Sequence, residues 1–318
     1  MRARGPGIVQ FFERFPNEDA CLNHLFSIRL EAAETCPVCG LKGKWTRISG
    51  TTQWRHTCRS HVTPLKGTIF YRSHLPLMAW FYAILIYANS TDSVHCSHIR
   101  RQLGLGHRSS YKLCQKIKIH MATMPRPAML GGAGKTVHVD EVALPYLRST
   151  AGDAQRSAIV LGMACDDVTI CGTIPNRKAE TIIPIVRKRV RAGSRIVTDM
   201  HKAYGSLASL GYEHVQINHS VAFHDFKGNT NNPIEMFWAT LRRNFRGFRN
   251  VSEENLWHFI AEIEYRYNRR LKPHIIFEEL ITKFPECWSF YEDNWRARFE
   301  WHDRTTQYDG HDATLVIR

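Results

Sequence analysis

The chain has 318 residues, 43% hydrophobic and 23% charged, ordinary proportions for a globular protein that exclude a disordered chain. Lys and Arg number 43 against 29 acids, and the resulting net charge of +14 points to a polyanionic partner, nucleic acid ahead of an anionic membrane. Nine cysteines on so long a chain do not read as a disulfide framework. No apolar signal segment opens the sequence, and its most apolar stretch, Leu75 to Ala88, is shorter than the ~20 residues of a membrane span. The composition therefore predicts a soluble intracellular protein with reduced thiols and no membrane partner.

Residues 1–32 form an N-terminal segment with the pattern of one or two short helices. Residues 33–70, rich in Cys, Thr, Gly and Trp, predict short strands and turns. Within them Cys36-Pro-Val-Cys39 is followed by Cys58-Arg-Ser-His61, two knuckles with two residues between the ligands of each. Four N or S donors suit tetrahedral, structural Zn²⁺, with Trp45 and Trp54 packed beneath the hairpin. His56 is set aside here because Cys58 with His61 restores the knuckle spacing; unliganded thiols are the bland alternative.

Residues 71–122 are helical in pattern, starting with the buried helix of Leu75 to Ala88. Thr91 to Gln102 has helical spacing, Leu103 to Gly106 makes a turn, and Ser109 is placed to cap a second helix reaching about Met121. That helix carries Lys112, Lys116 and Lys118, assigned to DNA, and the layout is that of a helix-turn-helix. A helical hairpin bridging two domains explains it nearly as well. Residues 122–135, with two Pro and three Gly, read as a linker.

Beyond the linker, short Val- and Ile-rich runs begin at Thr136, Ser157, Val168 and Ser194 and predict strands. Helical patterns cover 179–192, 233–246 and 252–270, giving a mixed α/β layer domain. Asp140 and Asp199 each close an apolar strand start, and Glu235 opens a helix. A buried carboxylate is costly unless solvated, paired or bound to metal. Three converging acids would suit a pair of Mg²⁺ or Mn²⁺ ions for phosphoryl transfer. Each acid alone also fits a capping or salt-bridging role. Arg243 and Arg246 join clusters at 187–191 and 266–272 as a track for duplex phosphates.

With these residues in hand, the chain resembles insertion-sequence transposases of the DDE type, in particular the zinc-ribbon group related to the Merlin elements. The likeness rests on CPVCG at 36–40, KGTIFYRSHLPLMAWFYAI at 66–84, VHVDE at 137–141, VTDMHKAYGSL at 197–207, NPIEMFWATLRR at 232–243 and FIAEIEYRYNRR at 259–270. It implies an α/β, RNase-H-like catalytic domain over 134–272, preceded by the zinc ribbon and the helix-turn-helix. Asp140 and Asp199 are then the first two metal-binding acids. The third position varies in the group; Glu235 is taken because a carboxylate binds Mg²⁺ more strongly than an amide oxygen, with Asn232 in reserve. Arg242, two helical turns after Glu235, would hold a DNA phosphate.

Departures are His61 where relatives often carry Cys, a loop after Glu141 without the usual Gly-Gly-Lys, and a C-terminal extension, 273–318, that matches nothing and reads as a packed cap. The resemblance implies a transposase that binds the terminal inverted repeats of its element and cuts and joins strands with Mg²⁺ or Mn²⁺. Its partners would be double-stranded DNA at element ends and target, and further copies of the chain. It would take no small-molecule substrate and would work in a bacterial cytoplasm, at the nucleoid. The alternatives are a transposase-derived DNA-binding regulator without catalysis, which the three acids argue against, and a metal nuclease without strand transfer.

Overall fold

The computed structural model describes residues 5–32, 34–148, 155–217, 232–246, 251–284, 299 and 301, with the backbone alone at 145–148, 155, 156, 232 and 253. It divides into two compact units, one of residues 1–124 with 269–290 and one of 125–268 with 291–318, where the sequence suggests five segments. No helix among the described residues is long and apolar enough to cross a membrane.

In the first unit, α1 (Ile8–Arg14) and α2 (Glu18–Phe26) are separated by Asn17, whose side chain accepts from the Ala20 amide at 2.9 Å and caps α2. Helix α3 (Leu77–Asn89) is the predicted apolar helix, and Leu77, Trp80, Phe81, Ile84, Leu85 and Tyr87 are all buried. A helix without a polar face belongs inside. Its Phe81 meets Phe15 edge to face at 5.0 Å, and Phe11 meets Phe277 of α9 (His274–Thr282) at 6.0 Å. Helix α9 lies in the segment that sequence left as an unplaced extension.

The ribbon is a three-stranded antiparallel sheet of β1 (Trp45–Arg47), β2 (Trp54–His56) and β3 (His61–Val62). Trp54 stacks on Phe26 with centroids 4.5 Å apart, so it packs as expected for a residue beneath the hairpin.

Two helices follow, α4 (Cys96–Leu103) and α5 (His107–Thr123). Gly104 ends α4 in the left-handed region at φ 62°, where a side chain would be strained. The second helix starts two residues before the expected Ser109 cap. The Ser110 amide already bonds the Gly106 carbonyl at 3.0 Å, so extended Gly106 takes the cap position and Ser109 lies within the helix.

The second unit is built on a five-stranded sheet in the order β6-β5-β4-β7-β8. The strands are β4 (Thr136–Arg148), β5 (Gln155–Cys165), β6 (Val168–Ile174), β7 (Arg195–Asp199) and β8 (Glu213–Ile217). The first three form an antiparallel meander, and β7 and β8 add in parallel. One sheet face, with Val137, Val139 and Ile196, buries Ile182 and Val186 of α6 (Ala179–Arg189). Helix α7 (Asn232–Arg246) packs against β4 and β5, and α8 (Leu256–Tyr267) against β6. The expected linker is partly built into this unit: Leu130 is buried and bonds β-fashion to Arg189 and Arg191.

Strand β6 lies at the end of the sheet, yet three of its residues have both backbone groups bonded. Asn268 brackets Thr169, accepting its N–H and donating to its carbonyl, each at 2.8 Å. The Glu264 carboxylate accepts the Cys171 amide at 2.7 Å, while Arg126 donates to the Cys171 carbonyl at 2.7 Å. Thr173 pairs through its backbone with Phe299 and Trp301 at 2.7 and 3.0 Å. Glu264 and Asn268 are four residues apart, one turn on the same helix face. Covering an edge in this way protects it from pairing with another chain.

Candidate functional site

Among the described residues one group of donors meets the requirements of a metal centre: Cys36, Cys39, His56 and Cys58, whose ligand atoms lie within 4.8 Å of one another. The Cys36 and Cys58 sulfurs are 3.9 Å apart, and the Cys39 sulfur is 3.8 Å from His56 Nδ1. Zn–S bonds of ~2.3 Å in a tetrahedron put sulfurs about 3.8 Å apart, so the residues fit the ion. Behind His56, a Cβ at Gly43 would sit 2.2 Å from the Thr57 hydroxyl oxygen and 2.3 Å from Nε2, so a side chain there would push against the imidazole. The Ser60 hydroxyl, 3.0 Å from the Cys58 sulfur, pulls that thiol down to about 7, favouring the thiolate a metal takes.

This corrects the expected fourth ligand, because His61 is exposed on β3 and stands opposite Arg55 in the register. Alternation on β2 turns Trp54 and His56 inward and Arg55 outward. Being cross-strand from Arg55, His61 shares its outward face, while His56 turns towards the cysteines.

Asp140 and Asp199 come from adjacent parallel strands. The last pair between β4 and β7 is His138 with Val197, and each acid lies two residues beyond it. Equal offsets of two place both on the same sheet face. Asp199 ends β7, as expected, but Asp140 does not end its strand. Strand β4 runs on to Arg148 in a hairpin with β5, with Val142 and Leu144 buried and Ala143 exposed between them. The expected loop after Glu141 is therefore a strand.

One oxygen of each acid is engaged. Trp238 Nε1 of α7 donates to Asp140 Oδ2 at 2.8 Å, and the His201 amide donates to Asp199 Oδ1 at 3.0 Å. Burial, followed by the charges of Glu141 and Asp199, pushes the Asp140 carboxyl up to about 6, although the Trp238 bond opposes the rise. Glu141 is also raised, chiefly by burial; the Tyr204 hydroxyl donates to it, and Arg177 lies 3.9 Å away. Sequence reading gave Glu141 no role. By alternation it faces away from Asp140, towards the α6 side.

Glu235 lies in the first turn of α7, one turn before Trp238. It is not drawn with Asp140 and Asp199 into a group of donors within the distance that unites the cysteine site. Asn232 is the first residue of α7, and its side chain lies outside the described residues. Arg242, Arg243 and Arg246 are exposed on α7.

The lysines of α5 divide. Lys112 is exposed, but Lys116 and Lys118 are corrected. Lys116 donates to the Ile69 carbonyl at 3.4 Å, its ammonium is 5.7 Å from the Trp80 ring centroid, and burial lowers its pKa. Lys118 is 4% exposed. From Ile117 to Ala122 every residue of α5 is buried, which leaves no outward face for a phosphate contact there. The exposed basic positions are Arg100 and Arg101 on α4 and His107, Arg108 and Lys112 on α5.

A family profile described as the ISXO2-like transposase domain matches residues 134–268, the part of the chain that carries the sheet and both acids. An "Uncharacterized transposase-like protein" of Haemophilus influenzae is 31% identical over 106 residues, which cover 33% of this chain and 84% of that protein. The chain belongs to the ISXO2-like transposase family. It is thus a transposase of a mobile element.

Proposed function

We propose that the protein is a DDE-type transposase that binds the inverted repeats of its element and catalyses metal-dependent strand cleavage and strand transfer. The observation that carries this is the placement of Asp140 and Asp199, each two residues past the same register pair on adjacent strands. The sheet order, three antiparallel strands followed by two parallel ones, supports an RNase-H-like reading of this unit. Hard carboxylate oxygens suit Mg²⁺ or Mn²⁺, and a partly buried Asp140 whose affinity for protons is raised by the neighbouring charges of Glu141 and Asp199 fits a divalent cation. Asp140 and Asp199 would hold the metal, with Glu235 or Asn232 as the third ligand. When bound, the ions supply charge stabilisation and an activated water or 3′-hydroxyl. Arg242, Arg243 and Arg246 on α7 would hold phosphates by charge-assisted bonds, orienting the DNA strand. In this reading the cysteine site is a structural zinc centre and α4 with α5 a helix-turn-helix. The working species on DNA is a homo-oligomer in a bacterial cytoplasm.

The test is cleavage and strand transfer on element-end DNA with Mg²⁺ or Mn²⁺. Asp140→Ala and Asp199→Ala should each lose about 10²–10³-fold or more in turnover while binding DNA as wild type does. Parallel Glu235→Ala and Asn232→Ala variants assign the third ligand by which one loses turnover. Cleavage by Asp140→Ala or Asp199→Ala at the wild-type rate would overturn the site, and binding without cleavage by the wild type would favour a regulator.

A DNA face at the exposed start of α5 would make its own prediction. Arg108→Ala and Lys112→Ala should each reduce the slope of log affinity against log salt by about 0.9 if each side chain neutralises one phosphate. Lys118→Met should leave the slope unchanged, because Lys118 is buried. Fluorescence anisotropy across a salt series reads both outcomes.

A further inference from the structure

The strand pair that carries Asp140 also carries a seat for one aromatic side chain. Gly162 on β5 is the register partner of Asp140. A Cβ built on Gly162 would lie 2.5 Å from Cη2 and 2.8 Å from Cζ2 of Trp238, and 2.9 Å from Cδ1 of Ile234. The six-membered edge of the indole therefore rests on bare backbone at Gly162, and its Nε1 reaches across to Asp140 Oδ2 at 2.8 Å. The ring is 2% exposed, and the neighbouring Phe237 ring tilts against it at 5.2 Å. A buried indole has few rotamers to choose from, so the direction of its N–H is fixed by the packing around it.

We propose that Trp238 is a positioning residue for the metal ligand Asp140, with Gly162 as the seat that lets the indole lie across the two strands. This rests on the active-site reading above. The indole N–H occupies Oδ2 and sets the plane of the carboxylate that would hold a cation. A hydrogen bond to a ligating carboxylate is the kind of support that orients a ligand before the metal arrives, and its loss costs affinity rather than the ligand itself. The pair also ties α7 to β4, so the helix that bears Glu235, Arg242 and Arg243 is held in register with the first acid. Gly162 takes part through its bare backbone alone, since a Cβ there would displace the ring.

The experiment uses the full chain with its zinc retained. Mn²⁺ binding is followed by electron paramagnetic resonance without DNA, and the Mn²⁺ concentration for half-maximal cleavage is measured beside it. Trp238→Phe removes the donor. Replacing Trp238 with 3-benzothienylalanine, which puts sulfur where Nε1–H was, removes the donor and keeps the bicyclic shape. Gly162→Ala keeps the donor and pushes the ring aside. Each should weaken Mn²⁺ binding by about tenfold or more, and the benzothienyl protein should do so with an unchanged melting temperature, which a purely structural role would not produce. Mn²⁺ binding within about twofold of wild type in the benzothienyl protein, with Asp140→Ala inactive, would overturn the proposal and leave the active site standing. Cleavage by Asp140→Ala would overturn the active-site reading, and this proposal with it.

Discussion

A His56→Ala variant is expected to purify with almost no zinc, whereas His61→Ala keeps about one ion per chain. The two histidines are five positions apart and equally capable as ligands, so the difference comes from the strand that carries them. His56 shares the inward face of β2 with Trp54 and lies within reach of three sulfurs, while His61 faces outward opposite Arg55. The effect should be large. Strands of three, three and two residues bury little by themselves, and structural zinc contributes on the order of 10–16 kcal/mol to the folding of small zinc domains. Loss of the ion should therefore unfold the ribbon locally. Because Trp54 stacks on Phe26 and Trp45 lies 4.8 Å from His56, near-ultraviolet circular dichroism will register it. Elemental analysis gives the zinc count directly. Zinc retained by His56→Ala and lost by His61→Ala would restore the ligand that residue spacing favours.

The same contrast explains what the sequence made legible. Cys36, Cys39 and Cys58 stand out because knuckle spacing is a property of a few adjacent residues. The fourth ligand depended on which way a strand faces, and the inward–outward–inward run of Trp54, Arg55 and His56 was the signal that spacing arguments passed over. Helix α3 and strands β4 to β7 were readable from apolar runs bounded by Gly, Asp or Asn. Strand β8 was not, because Glu213–Ile217 has one fully buried residue and little alternation. The charges of Lys116 and Lys118 suggest surface, yet α5 is buried throughout from Ile117 to Ala122 and Lys116 lies half-buried beside Trp80. The offsets of Asp140 and Asp199 became meaningful only when β4 and β7 were neighbours. The Trp238 bond to Asp140 joins residues 98 apart, and no local pattern foreshadows it.

Glu264→Ala is expected to cost about 3–5 kcal/mol of stability. The sequence offers Glu264 as one more acid in a motif-bearing helix, but its surroundings are those of a fold-holding group. Its carboxylate is 2.9 Å from the Arg126 guanidinium, with side-chain exposures of 4% and 9%, and it also accepts the Cys171 amide. Removing it leaves a buried guanidinium without its carboxylate, which costs far more than the pair contributes as an intact unit. Arg126 keeps its bond to the Cys171 carbonyl and its position 4.4 Å from the Phe299 ring centroid, so it cannot simply swing into water without uncovering β6. Glu264→Gln retains an acceptor for the amide and should cost less, about 1–3 kcal/mol. Urea unfolding, together with hydrogen exchange at Thr169 and Cys171, separates local opening of the edge from global loss. Because the exposed edge could then pair with a second chain, Glu264→Ala should also self-associate at concentrations where Glu264→Gln stays dispersed. A loss below about 1 kcal/mol for Glu264→Ala would mean that the Asn268 bracket and the Phe299 segment hold β6 without the ion pair.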